Sequence, residues 1–334
     1  MNFTKFPRRN YLQGATPIEP LPALSKVLGG DVNLYVKRDD LLPGSGGGNK
    51  TRKLEFCIAD ALDRGADTII TCGAVQSNHA RLTAAWSAKE GLDCHLILEE
   101  RVKGSYKVDA SGNNFLFELL GVKSIGVVKG GSDMMAEMSK KADALAAAGK
   151  KPYIIPGGAS NPIGAMGYAV CAEETMGQLN EMRLDIDHII VPSGSAGTHA
   201  GMAVGMAGVN GGIPISGVNV SRPKDVQEEI VYKLSQELAE KLGVKSGIVR
   251  EDIVCFDQYV GPGYSLPTES MVEAVKLFAK TEAILLDPVY SGKAAAGLID
   301  LVRNGHFPKG ANVLFLHTGG SPALYAYMDA FRQG

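Results

Sequence analysis

The sequence predicts an α/β protein built on mostly parallel sheets with helices on both faces. Three observations carry this. Short apolar runs alternate along the chain with longer segments of helical period, the order that βα units produce. The runs are continuous in their apolar character, as in strands buried on both sides. Polar, glycine-rich loops at 73–78, 157–161, 193–198 and 318–321 all follow predicted strands. They therefore converge at the carboxyl ends of the strands, where open α/β sheets bind ligands. The 334 residues suffice for a large core and for two domains or lobes.

Taken in order, residues 1–32 are rich in proline and turn residues and read as an irregular lead-in. A strand is expected at 33–37. A helix runs from about 50 to 64, marked by Leu54, Cys57, Ile58, Ala61 and Leu62 at helical spacing. Strands at 68–72, 94–98, 124–128 and 153–155 alternate with helices at 77–90, 114–120 and 133–148. A long helix follows Asn161. Strand 188–191, a loop at 193–197, a helix of glycine and alanine and strand 215–220 come next. A polar helix spans about 225–242. Met271, Val275 and Phe278 share one face of a helix at 268–280. Strand 313–316 runs into His317-Thr318-Gly319-Gly320. No repeat period and no low-complexity linker interrupts this order.

Composition excludes several classes. Hydrophobic content is 45% and charged content 21%, ordinary for a globular chain. Net charge is -2 and no basic tract stands out, which argues against nucleic acid or an anionic membrane as the main partner. The five cysteines are widely spaced with no CxxC pair, so neither a disulfide framework nor a zinc site is expected. No histidine and carboxylate set shows metal spacing. The amino terminus is not followed by an apolar core of signal-peptide length, so the cytoplasm is the expected compartment. The tract at 189–223, uncharged except for Arg222, is broken by glycines and prolines well short of the roughly 20 residues of a membrane span. It reads as two buried strands around a small-residue helix.

The stretch Gly46-Gly47-Gly48-Asn49-Lys50-Thr51-Arg52-Lys53 places two lysines behind a flexible run at a helix start. Asn49 is a good N-cap, and the helix N-terminus attracts anions. A lysine beside such a terminus and a second cation is a Schiff-base candidate. Both Lys50 and Lys53 satisfy this, and the stretch alone reads more readily as a loop with two solvated lysines. Ser193-Gly194-Ser195-Ala196-Gly197-Thr198 joins a buried strand to a helix and suits a phosphate. It is neither a Walker motif nor GxGxxG, and no second phosphate loop is apparent, so a mononucleotide-sized phosphate cofactor fits better than NAD. Ser77, in Gln76-Ser77-Asn78-His79, is either an N-cap alone or, with Asn78, a ligand to a carboxylate or ring hydroxyl. A serine hydrolase using His79 or His199 lacks its GxSxG. Tyr264 and Tyr290, on glycine- and proline-rich loops, are either packing residues or acid/base candidates. Lys293 has no reading beyond a helix-start lysine, and His95 and His306 read as structural or exposed.

Together, Gly47-Gly48-Asn49-Lys50-Thr51-Arg52-Lys53-Leu54-Glu55, Gln76-Ser77-Asn78-His79, Ser193-Gly194-Ser195-Ala196-Gly197-Thr198-His199, Asp287-Pro288-Val289-Tyr290-Ser291-Gly292-Lys293 and His317-Thr318-Gly319-Gly320 resemble the D-cysteine desulfhydrase / 1-aminocyclopropane-1-carboxylate deaminase family. The motifs occur in order over nearly the whole chain. The resemblance implies pyridoxal 5'-phosphate on the two-domain tryptophan-synthase-β-like fold (fold type II), with open twisted sheets. It implies a large domain of residues 1–51 and 161–334 and a small domain of 52–160. Lys50 would hold the cofactor as a Schiff base, and Lys53 would be its electrostatic companion. Asn49, Ser195, Ala196, Gly197 and Thr198 would hold the phosphate, Asn78 the ring hydroxyl and Thr318 the pyridine nitrogen. Ser77, Tyr264 and Tyr290 would face the substrate as catalytic residues, with Gln76, His79 and Ser291 in the substrate site. A homodimer acting on a small amino acid is the family expectation.

Deaminase members of that family carry Glu after the Tyr290 position and Leu at the Thr318 position; this chain has Ser291 and Thr318. Elimination of a sulfur group is therefore favoured over cyclopropane ring opening. The stretches Glu99-Glu100-Arg101-Val102-Lys103-Gly104-Ser105-Tyr106, Ala110-Ser111-Gly112-Asn113-Asn114 and Gly130-Gly131-Ser132-Asp133-Met134-Met135 resemble the L-cysteate sulfo-lyase branch. The expected activity is β-elimination from L-cysteate to pyruvate, sulfite and ammonia, with D-cysteine as the alternative substrate. Ring opening and a non-catalytic cofactor-binding role rank below both.

Overall fold

The continuous apolar runs form two separate sheets in the computed structural model, which describes residues 1–245 and 248–332. In chain order the elements are β1 (Ile18–Pro20), α1 (Pro22–Val27), β2 (Asn33–Lys37), α2 (Lys50–Asp63), β3 (Thr68–Ala74), α3 (Asn78–Lys89), β4 (Asp93–Glu100), α4 (Asn113–Leu119), β5 (Ser124–Lys129), α5 (Met134–Ala147) and β6 (Pro152–Ile155). There follow α6 (Pro162–Met182), β7 (His188–Ser193), α7 (Gly197–Gly208), β8 (Ile215–Asn219), α8 (Lys224–Leu242), β9 (Val254–Phe256), α9 (Glu269–Glu282), α10 (Ser291–Arg303) and β10 (Asn312–Leu316). One sheet has the order β1-β2-β10-β7-β8-β9 and the other β5-β4-β3-β6. Every pairing is parallel except that of β1 with β2.

Neighbouring residues of one strand feed opposite cores, which is why the strands show no polar alternation. Ile190 packs with α9 and α10, while Ile189 and Val191 pack with α6 and α7. In the smaller sheet Ile69 faces α2 and α3, and Ile70 faces α5 through Met138. The uncharged tract at 189–223 is β7, α7 and β8, as its composition indicated. The small residues of α7 let it press against α6: a Cβ at Gly201 would stand 2.4 Å from the Ala165 carbonyl oxygen. Among the described residues no helix is long and apolar enough to cross a membrane.

Four elements depart from the sequence reading. The lead-in is not wholly irregular, because it contains β1 and α1, the latter started by Pro22 at its first position. Three-residue β9 is too short to leave a period. Helix α10, with Ala294, Ala295 and Ala296 in its buried face, follows Tyr290 without a distinct cap side chain of its own. Asn49 stands before α2 but does not cap it with its side chain, and its backbone is already helical at φ -55° and ψ -21°.

The first turn of α2 is held by a buried ion network. Arg52 donates to both Asp39 oxygens at 2.9 Å, through Nε and Nη2, and to Glu174 at 2.8 and 2.9 Å. Lys37 Nζ reaches Glu174 at 2.5 Å, and Tyr168 donates to Asp39 at 2.6 Å. Burial pushes the Asp39 carboxyl up, but Arg52 and Lys37 outweigh it and hold the group below its ordinary range. Strand β2, helix α2 and helix α6 are thereby joined two residues from Lys50. Arg52→Met leaves a buried carboxylate without its main partner. It should lower the unfolding free energy by about 3–5 kcal/mol in urea titration, whereas a change under about 1 kcal/mol would show the network to be a solvated surface cluster.

Candidate active site

The strand-end loops of both sheets enclose a cavity of about 310 Å³. Its walls carry the turns after β3, β6, β7 and β10, together with Asn49, Lys50, Tyr264 and Tyr290. The glycine run ahead of α2 is shaped by its surroundings. Gly47 has φ +69°, and a Cβ there would stand 2.1 Å from the Asp40 carbonyl oxygen. Arg81, fully buried on α3, donates to the carbonyls of Ser45 and Gly47 and so pins the run.

Lys50 faces this cavity and Lys53 does not line it. Lys50 Nζ donates to Asn49 Oδ1 at 2.9 Å and lies 5.7 Å from the centre of the Tyr290 ring. Burial draws its amine down to about 8; Asp287 opposes that shift and Arg81 adds to it. Lys53 Nζ instead donates to the Gly158 carbonyl at 3.1 Å. Burial, then the nearby Lys50, hold it well below its ordinary value. Asn49 turns its other amide atom across the cavity, donating from Nδ2 to Thr198 Oγ1 at 2.9 Å.

The turn after β7 is built to receive an anion. Ala196 adopts φ +78°, and the twelve-residue helix α7 starts at the next position. Ser160 Oγ accepts from the Gly197 N–H at 3.1 Å and donates to Ser195 Oγ at 2.9 Å. A Cβ at Gly197 would stand 2.8 Å from Lys53 Nζ. Backbone N–H groups at a helix start, the hydroxyls of Ser195 and Thr198, and a buried lysine behind them match the needs of a phosphate. With Lys50 opposite, these residues fit pyridoxal 5'-phosphate.

Ser77, Asn78, His79 and Thr318 also line the cavity. Ser77 Oγ accepts from the Ala80 N–H at 3.1 Å, so it caps α3 as well as facing the cavity. The Thr71 hydroxyl donates to the Ile155 carbonyl at 2.7 Å, so its 2.8 Å contact with His79 Nε2 requires the proton on that nitrogen. Burial keeps the ring neutral. Neither His79 nor His199 bonds the Ser77 or Ser195 hydroxyl: His199 Nδ1 lies 3.3 Å from Ser193 Oγ. The Tyr264 and Tyr290 hydroxyls lie 2.7 Å apart, and burial raises both phenols.

Three expected site residues do not line the cavity: Gly197, whose N–H is bonded to Ser160 Oγ, Ser291 and Gln76. Ser291 does not line the cavity; its hydroxyl donates to Asp287 Oδ1 and accepts from the Asp287 N–H, both at 2.8 Å. Gln76 lies in an adjoining groove, with its amide bonded to the 111–113 segment. Conversely, Arg101 and Arg222 line the cavity although neither was expected in the site; Arg222 stood out in the sequence only as the one charge in the 189–223 tract, and Arg101 only within the stretch at 99–106. The Arg101 guanidinium lies 4.2 Å from the Tyr264 ring centre, and its Nε reaches Glu99 at 2.5 Å. Arg222 donates to the Gly194 carbonyl at 2.6 Å. Asp287 was legible only as part of a motif. Its buried carboxylate accepts the N–H groups of Val289, Tyr290 and Ser291 and so sets the start of α10. Among the described residues no group of three or more metal-ligating side chains occurs.

Residues 10–319 match the family described as pyridoxal-phosphate dependent enzyme. The chain is 44% identical to the D-cysteine desulfhydrase of Salmonella typhimurium, over 98% of each chain. It is 45% identical to that of Yersinia enterocolitica, over 97% of this chain and 96% of the other. A solved structure described as an ACC deaminase homologue superposes with a TM-score of 0.88 at 38% identity, covering 98% of this chain and 96% of that one. The chain thus belongs to the pyridoxal-phosphate dependent enzymes of fold type II, in the D-cysteine desulfhydrase / ACC deaminase family. Pyridoxal 5'-phosphate is its cofactor and carbon–sulfur lyase chemistry its enzyme class.

Lys50→Ala should abolish the visible absorbance of lysine-linked cofactor, while Lys53→Ala should retain it; the reverse pattern would exchange their roles. The free amine is the nucleophile in cofactor capture. Recapture of pyridoxal phosphate by the apoprotein should therefore speed up through Lys50's value of about 8 and level off above it. A rate still climbing near 10.5 would indicate an unshifted lysine.

Proposed function

We propose that this chain is a β-eliminating carbon–sulfur lyase acting on an alanine substituted with sulfur at Cβ. The observation that carries this is the placement of the Lys50 amine on one side of a phosphate cradle with the Tyr264–Tyr290 pair above it. Pyridoxal phosphate supplies the sink for the electrons left at Cα when its proton is removed. Lys50 holds that cofactor and, once freed by the incoming amino group, removes the Cα proton. A value near 8 keeps a useful fraction of it unprotonated at neutral pH. Ser77 and the start of α3 bind the substrate carboxylate. The tyrosine pair holds a proton at the leaving sulfur. Hydrolysis of the released aminoacrylate yields pyruvate and ammonia. Residues 52–160, which include the smaller sheet, act as a lobe closing on the larger one, and the enzyme is a cytoplasmic homodimer.

D-Cysteine is the first reading of the substrate, supported by the names of relatives 44% and 45% identical over nearly the full chain. L-Cysteate is the second, and one observation favours it. Arg101 and Arg222 bring two guanidinium groups to the cavity wall, where burial first and Arg101 second draw the value of Arg222 down, while Glu99 pairs with Arg101. A sulfonate placed between them relieves that repulsion.

Pyruvate release from D-cysteine, L-cysteine, L-cysteate and 1-aminocyclopropane-1-carboxylate, with sulfide and sulfite measured alongside, tests the proposal. Pyruvate with sulfide from D-cysteine is the expected result for the first reading, and pyruvate with sulfite from L-cysteate for the second. No pyruvate from any of them would remove the lyase assignment. Arg222→Gln should raise the KM for L-cysteate about tenfold, the effect of one lost charged hydrogen bond, and leave that for D-cysteine nearly unchanged.

A further inference from the structure

The pattern Ala110-Ser111-Gly112-Asn113-Asn114 has no part in the chemistry above, yet it folds against the cavity wall. Asn113 opens α4 and is fully buried. Its Nδ2 donates to the Gln76 carbonyl at 2.9 Å and to Asn78 Oδ1 at 2.8 Å, which uses both of its hydrogens. Its backbone N–H donates to Gln76 Oε1 at 2.8 Å, and Gln76 Nε2 donates to the Ser111 carbonyl at 2.9 Å. Ser111 Oγ in turn donates to the Tyr325 carbonyl at 3.0 Å. Asn113 Oδ1 has no partner among the described residues, so its two donated bonds alone orient that amide.

These bonds also fix the neighbouring amide. Asn78 cannot turn over without setting its NH₂ against the NH₂ of Asn113. Its Nδ2 is therefore directed away from Asn113. A Cβ on Gly320 would stand 2.4 Å from that nitrogen, which puts it at the turn that follows Thr318 and Gly319 in the cavity wall.

We infer that Asn113 is a positioning residue for the cofactor, holding Asn78 so that its N–H donors meet an acceptor oxygen on the cofactor ring. The inference rests on reading Asn78 as the contact of that oxygen. Gln76 then has a role as well, linking the same amide to the segment that bridges to Tyr325. Asn113 touches neither cofactor nor substrate and acts through Asn78 alone.

The test compares four holoenzymes: the native chain, Asn113→Asp, Asn78→Ala and the double variant. The readouts are cofactor retention against free pyridoxal phosphate and the absorbance maximum of the bound cofactor. Asn113→Asp keeps the shape but replaces the donor with an acceptor. It should weaken cofactor affinity about tenfold and shift the maximum. In the Asn78→Ala background the same change should add less than about twofold, because the interaction it works through is already gone. Equal loss in both backgrounds would overturn the proposal in favour of a packing role, as would native affinity and spectrum in Asn113→Asp. Native affinity and spectrum in Asn78→Ala would instead remove the contact on which the proposal rests. Should Asn113→Asp not fold, Asn113→Ser retains one donor and should show about a threefold loss; unchanged affinity there overturns the proposal equally.

Discussion

Arg52 carries the constraint on which the site depends. A lysine useful as an amine must be buried, and a buried lysine must be held by something other than a carboxylate beside it. The chain solves this by placing the ion pairing two residues further along α2. Arg52 takes Asp39 and Glu174, and through them β2 and α6, so the first turn of α2 is held without neutralising partners at Lys50. Burying such a network is not a gain in stability by itself. Its value is geometric, since it fixes the place where Lys50 leaves the helix.

The same economy of charge runs through the cavity. Lys50 and Lys53 bond to an amide oxygen and a backbone carbonyl. Asp287 approaches Lys50 closely enough to raise its value, yet its oxygens are directed at the N–H groups that open α10. His79 is neutral, with the tautomer set by Thr71. The result is a pocket whose positive character comes from helix ends, lysines with lowered values and two arginines, one of them paired with Glu99. An anionic cofactor is favoured there.

Residues carrying their own signal were legible. Continuous apolar runs disclosed strands buried on both faces, and their bounds fell within a residue or two of the observed ones. The glycine and alanine of α7 marked a small-residue helix between two buried strands; its close packing on α6 came from the structure. The strand-end loops disclosed the cavity. Elements with weak or no periodicity, such as β1 and β9, were not legible, because a strand of three residues is defined by its neighbour. Ser291 sits within a telling motif, but its hydroxyl belongs to the Asp287 turn. Arg222 is the one charge in the 189–223 tract and Arg101 lies in the stretch at 99–106, but neither announces a place in the site; both become notable by facing the same space.

The sequence by itself determined the βα order, the loops that meet at the strand ends and, through the joint set of motifs, the family and its cofactor. The first two follow from local composition and spacing; the family and its cofactor rest on the resemblance that the motifs carry together. The resemblance already favoured Lys50 over Lys53; tertiary structure decided that only Lys50 faces the cavity, which way the amides of Asn49, Asn78 and Asn113 turn, and which arginines stand over the site. Those depend on contacts between residues far apart in the chain, such as Asn49 with Thr198 and Asn113 with Asn78. No spacing rule encodes them, because each amide or cation is neutral to its own segment and is oriented only by a partner that folding brings beside it.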